Sequence, residues 1–235
     1  MGSYENFARV YDELMDNVPY EEWADFILAI LKKNKITDGL VLELGCGTGK
    51  LMSLLGNAGF DMIGVDNSVD MLQIAREKTS PEFLYLLQDM REFELYGTVK
   101  AVVSVCDSVN YITEKEDLTE VFRLVNNYLD PQGLSIFDFN KDYKYRDMIG
   151  SQALADDRED VRFLWFNEYD EESQLNDSDL KVFVQEDGDR YRKFQEEHIQ
   201  RGYSLQEIKQ MLEESGLVFL QAFDEYSNQE PRTDS

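Results

Sequence analysis

Val41-Leu-Glu-Leu-Gly-Cys-Gly-Thr-Gly-Lys50 is an apolar run that passes into alternating glycines, and its reading decides the fold. Gly39 to Leu44 has the length and continuity of a buried parallel strand, with a turn residue before it and glycines after it. Gly45, Gly47 and Gly49 then form a GxGxG loop, and Lys50-Leu-Met-Ser-Leu-Leu55 continues at helical spacing. Residues without a Cβ permit positive φ and close ligand approach, and the first N–H groups of the following helix point into the crevice. The expected occupant is a nucleotide-like cofactor at the carboxyl ends of parallel strands.

A nicotinamide fingerprint, GxGxxG, needs glycine at Lys50, or at Met52 if counting starts from Gly47, and neither register fits. No Walker A loop occurs either. Three later segments repeat the pattern of apolar strand and polar end. Phe60-Asp-Met-Ile-Gly-Val65 ends in Asp66, placed where an acidic residue accepts hydrogen bonds from both ribose hydroxyls. The other reading of Asp66 is a helix N-cap, a role equally open to Asn67 and Ser68 ahead of Met71. Phe83-Leu-Tyr-Leu-Leu87 runs into Gln88-Asp89-Met90, and Ala101-Val-Val-Ser-Val105 into Cys106-Asp107-Ser108-Val109-Asn110-Tyr111, where polar residues can also simply satisfy a turn.

Glu43-x-Gly45-x-Gly47-x-Gly49, taken with Asp66 and Asp89-Met90, resembles motif I and its companions in the class I S-adenosylmethionine-dependent methyltransferases. The resemblance implies an α/β fold: a Rossmann-like class I methyltransferase sheet with flanking helices, an N-terminal helical lid and a small antiparallel β insertion. It implies S-adenosyl-L-methionine as cofactor and S-adenosyl-L-homocysteine as product. The residues it assigns to that cofactor are Tyr11, Tyr20, Glu43, Gly45, Cys46, Gly47, Gly49, Asp66, Asn67, Met71, Asp89, Met90 and Cys106. Asp89 would accept from the adenine amine while the Met90 N–H serves a ring nitrogen. Residues 106–111 correspond to motif IV, near the transferred methyl. The N-terminal YxxFAxxYDxLM pattern, the β insertion and Glu196-Glu-His-Ile-Gln-Arg-x-Tyr203 are similar to a group of functionally uncharacterised bacterial methyltransferases. That group is similar in outline to the sugar-amine N,N-dimethyltransferases.

Four parts are expected along the chain. Residues 1–38 form the lid, in which Trp23, Ile27, Ile30 and Leu31 share a helical stripe and Tyr4, Phe7, Tyr11 and Tyr20 can close over the methyl donor. Residues 39–150 form the cofactor-binding core, with a strand at Gly133–Phe139 opened by the turn Pro131-Gln-Gly133. Residues 151–202 form the β cap, read as strands at 161–169, 180–184 and 191–200 with Asp187-Gly188 as a hairpin turn. Residues 203–235 add a helix with a Ser204/Glu207 capping box and a sixth sheet strand at Leu217–Phe223. The polar tail after it lacks the seventh strand usual in the family, so the sheet is expected to be truncated there or completed otherwise.

The length of 235 residues suits one α/β domain with an appendage, and a formal charge of −25 argues against nucleic acid as partner, because phosphate binding draws on Lys and Arg. No apolar run approaches the roughly 18 residues of a membrane helix, and no signal-peptide h-region occurs, so a cytoplasmic protein, monomer or homodimer, is expected. Two cysteines and one histidine argue against a disulfide framework and against a metal site.

The expected reaction is in-line displacement by an N or O atom of a small-molecule acceptor. Tyr4, Phe7, Asn110, Tyr111 and His198 are candidates for the acceptor site, and His198 and Tyr111 for the catalytic base, His198 because its intrinsic pKa lies near neutrality. Methylation of protein or RNA, or S-adenosylmethionine binding without catalysis, are the alternatives.

Overall fold

The computed structural model describes residues 11–12, 14–158, 161–186, 188, 190–227 and 229–231. Tyr4 and Phe7 lie outside them. The main sheet has five parallel strands in the order β3-β2-β1-β4-β5: β1 (Gly39–Leu44), β2 (Phe60–Asp66), β3 (Leu84–Leu87), β4 (Val99–Ser104) and β5 (Leu129–Phe137). Alternation along β1 sends Val41 to one face and Leu42 and Leu44 to the other, and both faces are buried. Helices α1 (Tyr20–Lys33), α2 (Lys50–Asn57) and α3 (Val69–Lys78) cover the first face, while α4 (Lys115–Tyr128) and α5 (Leu205–Glu214) cover the second. Apolar runs buried on both sides are what a parallel sheet requires.

β1 pairs with β2 on one side and with β4 on the other. The strand order therefore reverses at β1, and reversal points open a crevice at the carboxyl ends of the strands.

α1 is a layer of this sandwich, with Ile27 and Leu31 fully buried against α2. Of the expected lid, the described residues begin at Tyr11. Tyr11 and Leu14 pack on Val161, Val182 and Phe194 of a second sheet, and Asp16 pairs with Arg158 at 2.8 Å.

That second sheet is antiparallel, in the order β6 (Ala153–Asp157), β7 (Val161–Asp170), β8 (Leu175–Gln185), β9 (Tyr191–Arg201). It has one strand more than expected. β6 escapes the sequence reading because Ala-Leu-Ala-Asp-Asp is a mostly exposed edge. β8 starts before Leu180 because the buried Asn176 and Ser178 do not look like strand residues. In the expected hairpin turn Gly188 has φ 60, and the Glu186 N–H donates to the Arg190 carbonyl at 3.0 Å. Asp187 lies outside the described residues.

Two expectations on the main sheet are corrected. Pro131-Gln-Gly133 does not open β5 but forms a bulge within it: the register jumps from Val99↔Leu129 to Ala101↔Leu134, and Gln132 takes φ 69. Residues 217–223 form no strand. Leu217 and Phe219 pack on the α4–α5 side, whereas Phe223 meets Phe26 edge-on at 5.1 Å and Tyr226 stacks on Trp23 at 4.4 Å. Among the described residues the segment is thus held by side chains instead of ladder hydrogen bonds.

Candidate functional site

The glycine loop leaves β1 and turns back against β2. The Gly45 and Cys46 N–H groups donate to the Val65 carbonyl at 2.8 and 3.1 Å. Gly45 has φ 71, and a Cβ there would lie 2.5 Å from Ser108 Oγ, so the loop is pressed against the end of β4. Gly47 has φ 52 and differs in kind: a Cβ there would meet no heavy atom within 4 Å, so its bare face borders open space.

Asp66 joins the loop to β2. Its Oδ2 accepts from the Gly47 N–H and its Oδ1 from the Ser68 N–H, both at 2.8 Å. The N-cap of α3 is Ser68, whose Oγ accepts from the Met71 N–H at 3.3 Å. Asp66 is therefore not the helix cap, and each of its carboxylate oxygens keeps a further lone-pair direction for a hydroxyl donor. Asn67 and Met71 follow it at the start of α3. Burial raises the Asp66 carboxyl, opposed by the Ser68 and Gly47 N–H groups.

Glu43 lies beneath the loop, 2% exposed, and its Oε2 has no hydrogen-bond partner. Burial, then the Asp66 charge, pushes this carboxyl well above the usual range. An orphaned buried carboxyl oxygen beside an open glycine face suits a ligand carrying a polar or cationic group, as the amino acid end of S-adenosylmethionine does.

Asp89 follows β3. Arg91 grips it through Nε at 2.9 Å and Nη2 at 2.6 Å, and the Arg91 N–H donates as well, which together hold the carboxyl below its ordinary value. An adenine amine would use the oxygens' remaining lone pairs. Met90 packs on the Leu42 cluster, and its Cε would lie 3.6 Å from a Cβ at Gly45.

Cys46 is buried, and burial pushes its thiol far up. The Cys106 thiol is pushed up to about 12 by burial, and its Sγ lies 3.3 Å from Tyr20 Oη. Neither is a thiolate near neutral pH. Among the described residues no group of three His, Cys, Asp or Glu side chains could hold a metal ion.

In the N-terminal segment, Asp12 Oδ1 accepts from Thr48 Oγ1 at 2.6 Å, and Asp12 Oδ2 pairs with Lys78 Nζ at 2.5 Å. The N-terminal segment is thus tied to the glycine loop itself. Tyr11 and Tyr20 sit beside Cys106, their phenols raised by burial first.

The acceptor candidates divide. His198 Nδ1 lies 3.3 Å from Tyr111 Oη, with the rings edge-on at 5.8 Å, and burial lowers the imidazole pKa. Structure therefore brings Tyr111 and His198 together. Asn110 is different: it is fully buried, its Nδ2 donates to the carbonyls of Asn140 and Arg201, and its Oδ1 accepts from the Asn140 N–H. Its amide is spent on pinning the cap to the main sheet, leaving little for an acceptor.

Sequence reasoning did not single out Asp107 or Asp138. Asp138 Oδ2 and Oδ1 accept from the Cys106 and Asp107 N–H groups at 3.0 and 2.9 Å. That grip holds Cys106 and Asp107 at φ 58 and 49, left-handed values unusual outside glycine. Gln200 of β9 donates to Asp107 Oδ2 at 2.6 Å. The only signal in the sequence was an aspartate directly after a strand, in a segment that also read as a turn.

A five-stranded parallel sheet with order 3-2-1-4-5, a glycine loop over an open crevice and acidic residues closing β2 and β3 define a Rossmann-like nucleotide-cofactor protein of the methyltransferase type. Residues 41–133 match the family model described as "Methyltransferase domain". Over 237 aligned residues the chain is 36% identical to "Putative methyltransferase YqeM" of Bacillus subtilis, covering 99% of this chain and 93% of that protein. A crystal structure of an S-adenosylmethionine-dependent methyltransferase from Clostridium acetobutylicum superposes with a TM-score of 0.88 at 31% identity, over 99% of this chain and 95% of that one. The S-adenosylmethionine-bound structure of CalS10, described as an amino pentose methyltransferase from Micromonospora echinaspora, shares the fold, with a TM-score of 0.74 at 17% identity over 88% of each chain. The chain belongs to the class I S-adenosylmethionine-dependent methyltransferases, and S-adenosylmethionine is its cofactor.

Proposed function

We propose that the protein transfers a methyl group to a nitrogen or oxygen of a small-molecule acceptor by in-line displacement. The observation that carries this reading is the β cap. It is tied to the carboxyl edge of the main sheet by Gln200 on Asp107, by the Arg201 carbonyl on Asn110 and by His198 on Tyr111, so the acceptor end of the crevice is roofed. A roofed site takes a compact acceptor more readily than a polymer. Opposed residues of the cap grade from apolar (Phe163, Val182, Phe194) to polar (Asn167, Ser178, His198), which suits a hydroxylated molecule. The likeness to CalS10 supports the same reading.

S-adenosylmethionine, when bound, supplies an electrophilic methyl on a sulfonium. In this reading Glu43 and the glycine loop hold its amino acid end, Asp66 the ribose, and Asp89 with Met90 the adenine. Tyr11 and Tyr20 exclude water beside the sulfonium, whose charge also suits aromatic faces. Excluding water and aligning the acceptor at a separation of roughly 3–3.5 Å is the main catalytic contribution.

The test is incubation with methyl-labelled cofactor and fractionated cell extract. Label in the small-molecule fraction supports the proposal. Label confined to protein or RNA, or no label despite cofactor binding, contradicts it.

A further inference from the structure

Asp107 is held in an unusual way. Its backbone and that of Cys106 take left-handed φ values, which persist only where the surroundings enforce them. Asp138 enforces them by accepting both N–H groups, and Asp138 is itself fixed by Tyr226 Oη, which donates at 2.5 Å.

The two carboxylate oxygens then have different fates. Oδ2 accepts from Gln200 Nε2 at 2.6 Å and from Asn140 Nδ2 at 3.1 Å. Oδ1 accepts no hydrogen bond among the described residues, although the side chain is only partly exposed. Lys144, the cation that acts on this carboxylate, donates instead to Asn140 Oδ1 at 3.0 Å. Tyr11 and Tyr145 lie near enough for the Asp107 charge to help raise their phenols. A carboxylate fixed through one oxygen, with the other left without a hydrogen bond, is built to receive a cation.

We propose that Asp107 is the docking group and base for the acceptor, and that the acceptor is therefore an amine. This deepens, and rests on, the small-molecule reading above. The acceptor's ammonium pairs with Oδ1 and gives it one proton, which frees the nitrogen lone pair. The N–C bond forms as the S–C bond of the donor breaks, with the bonding electron pair going to sulfur. The methylated nitrogen leaves as the cation, and the proton on Asp107 is released to solvent. Gln200 is a positioning residue: it fixes Asp107 from the cap and so links cap closure to acceptor docking.

The experiment uses the small-molecule extract with and without N-hydroxysuccinimidyl acetate, which caps amines. Wild type should label the untreated extract and lose at least about tenfold on the capped one, a difference of about 1.4 kcal/mol. Asp107→Asn should lose about tenfold or more on untreated extract while its S-adenosylhomocysteine affinity stays within about twofold. Asparagine tolerates left-handed φ, so the turn is preserved, and intact product affinity reports a folded core. The cation-exchange-retained fraction should raise the melting temperature of the S-adenosylhomocysteine-saturated wild type and not that of Asp107→Asn. Equal labelling of capped extract, a wild-type rate in Asp107→Asn, or an equal thermal shift in both proteins overturns the proposal. Label in protein or RNA alone removes the small-molecule reading and this proposal with it. Loss of label only from capped extract, with Asp107→Asn unaffected, leaves that reading standing and removes Asp107.

Discussion

The Gly47 N–H donates to Asp66 Oδ2 at 2.8 Å, so one carboxylate sets the shape of the glycine loop from the neighbouring strand. Asp66→Ala removes this bond and, in the proposed reading, a ribose acceptor. Its affinity for S-adenosylhomocysteine is expected to fall by about 1–3 kcal/mol, the cost of unpaired polar contacts. Calorimetric titration measures this, and unchanged affinity would mean that Asp66 serves the loop alone.

The glycines of the loop should separate under substitution. Gly45→Ala places a Cβ 2.5 Å from Ser108 Oγ at φ 71, so it should lower the urea unfolding free energy by at least about 1–3 kcal/mol. Gly47→Ala meets no atom, so only the smaller left-handed cost of about 1–2 kcal/mol applies, but its methyl enters the crevice. The expected pattern is a larger stability loss for Gly45→Ala and a larger binding loss relative to stability for Gly47→Ala. The reverse pattern would mean that the open face of Gly47 is not the cofactor side.

The N-terminal segment is tied to the loop through Asp12, with Thr48 at 2.6 Å and Lys78 at 2.5 Å. Thr48 belongs to the glycine loop, and surface ion pairs add little stability. Asp12→Ala should therefore speed S-adenosylhomocysteine release about tenfold, equivalent to about 1.4 kcal/mol, while leaving the urea midpoint nearly unchanged. Stopped-flow displacement gives the rate. An unaltered rate would separate the segment from cofactor retention.

Burial lifts the Asp107 carboxyl to about 6, with Lys144 and the Gln200 hydrogen bond opposing and Asp138 reinforcing. An unfolded aspartate titrates near about 3.9, so between about pH 4 and 6 the folded protein holds the extra proton. Its stability falls as pH rises through that window. Asp107→Asn removes this component, so the variant should gain on wild type, in urea midpoint, as pH rises from about 4 to 6 and keep that gain above it. Asp138, Lys144, Tyr11, Tyr145, Cys106 and Tyr226 face the same spot and remain in both proteins. A pH-independent difference would mean that Asp107 carries an ordinary pKa.

The fold was legible where local pattern and burial coincide. β1, β2 and β4 are apolar on both faces, and the capping box at Ser204 forms as its spacing predicts. Residues 217–223 show why pattern alone fails. The alternation is present, with Val218 and Leu220 exposed and Phe219 packed inside, yet a strand needs a neighbour and β5 does not pair with it. β8 was half seen because its buried residues Asn176 and Ser178 are polar and donate to Asn167 Oδ1 and the His198 carbonyl of the neighbouring strands. Glycine spacing and strand-end acids marked the candidate cofactor site in the sequence. The proposed acceptor site left no such mark, because Asp107 acquires its character from Asp138 and Gln200, which lie 31 and 93 residues away in sequence.

Calorimetric titration with S-adenosylhomocysteine and, separately, NAD tests the central claim most directly, since both ligands present an adenosine to a glycine loop. S-adenosylhomocysteine should bind with about one equivalent per chain and NAD should give no heat at the same concentrations, because Lys50 and Met52 stand where the dinucleotide fingerprint needs glycine. Binding of NAD without S-adenosylhomocysteine would contradict the account.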